Sequence, residues 1–136
     1  MKVVTRKGGR FARVKSLSGL LEAQWIVLGA PQGPSHLYVQ AFEANGLRAP
    51  KASTMSDSLM ATMGIIENTD ICCALPERLI EFFAQRHSVV ALDIREPLPE
   101  LTIALMTRAG IPLTPAAAQL ARFIRQCSDT LVRTKT

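Results

Sequence analysis

The chain has 136 residues, 48% hydrophobic and 20% charged, with a formal net charge of +5. That composition suits one folded domain and excludes a disordered chain, and no apolar run approaches the roughly 20 residues that cross a bilayer. Aromatic residues make up only 5%, so the core must come mainly from Leu, Ile, Val, Ala and Met.

Taken in chain order, the first element is a strand over Lys2–Arg6, where Val3, Val4 and Thr5 precede the stop at Gly8-Gly9. Lys2, Arg6, Lys7, Arg10, Arg13 and Lys15 make this end basic; they read as a solvated segment rather than a nucleic-acid face. Residues 16–22 suit a short helix, with Leu17, Leu20 and Leu21 at helical spacing. Trp25–Leu28 is a continuous apolar run, as a strand buried on both faces requires, and a Gly/Pro turn follows it. Ser35 is expected to cap a helix that stops at Gly46. Residues 51–55 form the next strand, and Ser56-Asp57 are expected to cap a helix bearing Leu59, Met60, Met63, Ile65 and Ile66.

Residues 70–75 read as a third buried strand, closed by Pro76 at the first turn of a helix over 77–86. Strands are expected at 89–94 and 101–107, with Pro97 and Pro99 in the loop between them. Thr114 and Pro115 then open a helix running to about Gln126, and the polar tail 128–136 is expected to fray. Strands alternating with helices imply a parallel-leaning α/β sheet covered on its faces.

Catalysis finds little to hold. His36 and His87 are the two histidines, and His87 beside Arg86 suits a charged or solvated place at a helix end. No nucleophile elbow, Walker loop or dinucleotide fingerprint occurs, and Lys7-Gly8-Gly9-Arg10 is a weak phosphate cradle. Cys72, Cys73 and Cys127 lack metal-ligand spacing; alternation sends the adjacent pair to opposite sides of a strand, as buried free thiols. No metal and no cofactor is expected. Nothing after the basic start looks like a signal peptide, so the cytoplasm is the expected compartment.

Ligand binding has more support. In open α/β sheets a ligand sits beyond the carboxyl ends of strands, facing helix N-termini. Two such junctions, 29–35 and 53–58, offer Ser35 and Ser56 as cleft-facing polar groups, with Gly33 and Thr54 giving backbone access. Asp57 belongs to the same set but ranks below the two serines, because its charge repels a carboxylate. Each of these residues also has a purely structural use in helix capping.

From Ala74 onward the order of pieces becomes distinctive. Ala74-Leu75-Pro76 and a helix, residues 89–95 with Glu96-Pro97-Leu98-Pro99, the run 101–108, and Leu113-Thr114-Pro115-Ala116-Ala117 resemble the C-terminal half of the effector domain of LysR-type transcriptional regulators. Trp25-Ile26-Val27-Leu28-Gly29 and Met55-Ser56-Asp57-Ser58-Leu59 fall in matching order before them. The resemblance implies a type 2 periplasmic-binding-protein-like fold, with a small effector in the cleft between two α/β subdomains.

On that mapping 1–10 is a crossing strand and basic loop, and 11–95 is one complete subdomain. Residues 96–127 return a strand and helix to the other subdomain, and 128–136 is the tail. Two departures stand out. Asn68-Thr69-Asp70 replaces the usual Gly-x-Gly, and the chain starts at the crossing, without the DNA-binding element or most of the first subdomain.

The expected function is sensing of a small organic effector, with an anion among the chemistries that suit helix N-termini, by a non-enzymatic regulatory domain, with DNA reached only through an N-terminal domain outside this sequence and no membrane partner. The uncovered apolar faces of 101–107 and the last helix favour self-association or pairing with the rest of such a regulator. A small α/β enzyme with an unrecognised site and a fragment that only oligomerises are the alternatives.

Overall fold

The computed structural model describes residues 1–30 and 33–133. The chain divides into two compact units, Met1–Leu101 and Thr102–Thr136.

The first unit is built on strands β1 (Lys2–Arg6), β2 (Trp25–Leu28), β3 (Ala52–Ser56), β4 (Cys73–Leu75) and β5 (Val89–Ala91), with helices α1 (Leu37–Ala44), α2 (Leu59–Asn68) and α3 (Glu77–Ala84). β1 lies between β4 and β5 and is antiparallel to both, while β2 and β3 pair in parallel. A parallel bridge between Trp25 and Cys72 joins the two sheets, with Ile26 N–H donating to Cys72 O at 2.9 Å and Cys72 N–H to Gln24 O at 2.8 Å. The strands therefore run in the order β3-β2-β4-β1-β5. The sheet is mixed, with β1 as its antiparallel member.

Alternation along each central strand divides the core into two clusters. Val3, Trp25, Val27, Cys72 and Ala74 join Tyr38 and Phe42 of α1 on one side. Val4, Ile26, Cys73 and Leu75 join Met63 and Ile66 of α2 and Ile80 and Phe83 of α3 on the other. Consecutive strand side chains point to opposite faces, so a sheet clad on both faces needs apolar residues without interruption. Trp25 is the largest of these side chains; its ring stacks on Tyr38 at 4.1 Å and meets Phe42 edge-on at 5.9 Å.

Local chemistry sets the helix ends, and here the structure corrects the sequence reading. α2 is capped by Ser58, whose Oγ accepts from Ala61 N–H at 3.3 Å, not by Ser56 or Asp57. Ser35 does not cap α1 either. It lies inside a short 3-10 turn, Pro34–His36, and the residue preceding α1 is His36, which makes no side-chain cap bond. The residues in place of Gly-x-Gly close the far end of α2: Asn68 Nδ2 donates to Gly64 O at 2.8 Å and Thr69 Oγ1 to Ile65 O at 2.7 Å. Asp70 then accepts from Arg6 at 2.8 Å and from Arg10 N–H at 3.1 Å. β4 starts at Cys73, while the backbone of Cys72 bonds to Gln24 and Ile26 on the β2 side.

The second unit consists of a segment without regular structure and α4 (Pro115–Arg133). Thr114 Oγ1 accepts from Ala117 N–H at 3.3 Å, as the Thr-Pro start requires. The strand expected at 101–107 is absent. A strand exists by pairing, and among the described residues no ladder partner reaches that run. α4 also continues past Gln126 to Arg133, through most of the expected tail; residues 134–136 of that tail lie outside the described residues. Once a helix is nucleated each further residue adds a backbone bond at little cost, and Thr130 Oγ1 donates to Gln126 O at 3.0 Å.

Candidate effector site

The carboxyl ends of β2 and β3 lie side by side. Leu28 pairs with Ser56, and Gly29 N–H donates to Ser56 O at 2.8 Å. Gly29 turns the chain away with φ +84, a conformation other residues rarely adopt. Gly33 N–H then closes a turn onto Ala30 O at 2.8 Å, and a Cβ added at Gly33 would stand 3.0 Å from that same oxygen. A second tight turn follows β3. Ser56 Oγ accepts from Ser58 N–H at 3.2 Å and donates to Ser58 O at 3.1 Å, and Ser58 in turn caps α2.

The five residues nominated from sequence are thus treated differently by the fold. Ser56 is half-buried at the strand end and Gly33 is half-buried in the opposite turn. Asp57 is exposed at the tip of the β3–α2 turn. Thr54 is exposed two residues before the end of β3, in register with Ile26. Ser35 is only 3% exposed and faces the Cys73 thiol. Ser58 was not nominated. Its signal was present, since it is the hydroxyl residue immediately before the apolar run that opens at Leu59.

Segments 29–36 and 52–58 contain no lysine or arginine, and Asp57 is their one carboxylate. The N-terminal N–H groups of α2 supply the favourable field for a polar or negative group, with Asp57 opposing a full negative charge.

Cys72, Cys73, His87 and the Gly8-Gly9 loop have structural surroundings of their own. Burial pushes both adjacent thiols up to about 12; the Thr5 hydroxyl opposes this at Cys72, and Ser35 opposes it at Cys73. His87 Nδ1 lies 3.0 Å from Glu67 Oε2, tying the α3–β5 turn to α2, so it is partnered rather than solvated. The Gly8-Gly9 loop is closed by a carboxylate of the chain itself, for a Cβ on Gly9 would stand 2.5 Å from Asp70 Oδ1. Its Arg10 N–H is thereby engaged and does not await a phosphate. Among the described residues no group of three or more His, Cys, Asp or Glu side chains could hold a metal.

The model of the LysR substrate binding domain matches residues 1–128. The chain belongs to the LysR substrate-binding domain family. Within the family's range it is similar to the HTH-type transcriptional regulator GalR of Pseudomonas putida, at 28% identity over 127 residues, 93% of this chain and 32% of that protein. The chain therefore spans about a third of that curated relative. Among solved structures it is similar to HinK, a LysR family transcriptional regulator from Pseudomonas aeruginosa, with a TM-score of 0.67 and 23% identity over 92% of this chain and 43% of that one. The probable transcriptional regulator PA0477 from the same species gives a TM-score of 0.58 and 20% identity over 72% of this chain and 33% of that one. The expected α/β, periplasmic-binding-protein-like fold is thus confirmed for this LysR-family chain, with β1 as the antiparallel member of the sheet.

Proposed function

We propose that this chain senses a small organic effector for a LysR-type transcriptional regulator, and that it does so by binding rather than by turnover. The observation that carries this reading is the pairing of Leu28 with Ser56, which brings two strand ends and two tight turns to one corner of the sheet. Ser56 and Gly33 are the proposed contacts, with Ser35 buried beneath them against the Cys73 thiol. Thr54 and Asp57 stand at the margin as exposed groups. The absence of Lys and Arg from 29–36 and 52–58 favours a polar, hydroxyl-bearing effector over a strongly anionic one.

This reading puts the protein in the cytoplasm, in keeping with three free cysteines. DNA would be reached through a winged-helix element elsewhere in the regulator. The exposed apolar residues of the second unit, with Ile103 85% and Met106 89% exposed, favour self-association.

A thermal-shift panel of matched neutral and carboxylate compounds tests the reading. A concentration-dependent rise in Tm that shrinks in Ser56→Ala supports it. A full panel without stabilisation, or a rise equal in both proteins, overturns it.

A further inference from the structure

We draw no further inference here: the strongest candidate, the apolar groove of about 790 Å³ between Ile103 and Leu105 and the Leu120, Phe123 and Ile124 side chains of α4, is an unpartnered face, and nothing in the structure shows what covers it.

Discussion

The two units treat similar apolar side chains in opposite ways. In the first, Val3, Val4, Trp25, Ile26 and Leu75 are at most 1% exposed, because the sheet is clad on both faces. In the second, Leu120, Phe123 and Ile124 stay 46–60% exposed, although α4 is the longest helix in the described chain. A helix secures its own backbone bonds but must find cover for its apolar stripe. A strand must find both. The first unit finds both within residues 1–101, whereas the run 102–107 finds neither and remains irregular.

Substitutions should widen this contrast. Trp25→Ala removes the centre of the aromatic stack and should cost about 3–5 kcal/mol in urea unfolding. Leu120→Ala, on a face exposed in the single chain, should fall within about 0.5 kcal/mol at concentrations where the protein is monomeric. A cost for Leu120→Ala approaching that of Trp25→Ala in the monomer would break the comparison and show α4 to be covered within the single chain.

Thiol chemistry probes the same difference. Cys72 and Cys73 are buried in the first unit and Cys127 is exposed in the second. With both buried thiols held at about 12, their thiolate fractions fall about a thousandfold below that of an ordinary cysteine. Native protein should therefore show one fast-reacting thiol with a disulfide reagent, rising to three in denaturant. Two or three fast thiols in the native state would contradict the packing described for β4.

Capping gives a smaller effect. Ser58→Ala should cost about 1 kcal/mol, with Asp57→Ala near zero. The reverse order would restore the cap to the position expected from sequence.

The smallest effect is a pH dependence. The Arg6 side chain, with help from Arg10 N–H, holds the Asp70 carboxyl below its usual range. A carboxyl depressed in the folded state stabilises above its unfolded value of about 3.9, and that contribution disappears as pH falls through the folded value. Stability should therefore decline slightly more steeply below about pH 4 in the parent chain than in Asp70→Asn. Identical acid limbs would show the ion pair to be idle.

Much of this architecture was legible in the sequence, and the misses share a cause. β1 and β2 were bounded correctly because apolar, β-rich runs end at glycine-containing turns. The opposite orientations of Cys72 and Cys73 followed from alternation alone. The run 101–107 has the composition of a strand, but strand formation depends on a partner that local composition cannot supply. Ser56, Asp57 and Ser58 offer three capping side chains in succession, and only the geometry of the turn selects the last. Ser35 was identified as a hydroxyl at a strand–helix junction, yet the 3-10 turn directs it to Cys73. The junctions after β2 and β3 were therefore legible as neighbouring strand ends, while the direction of each side chain was not.

The most direct test of the account is a backbone-amide NMR titration of the full chain with whichever compound gives the largest thermal shift. The account expects saturable shifts concentrated at Gly29, Gly33, Ser56 and Ser58, with α4 little changed. Saturable shifts confined to α4 and residues 103–105, with the β2 and β3 ends silent, would contradict it.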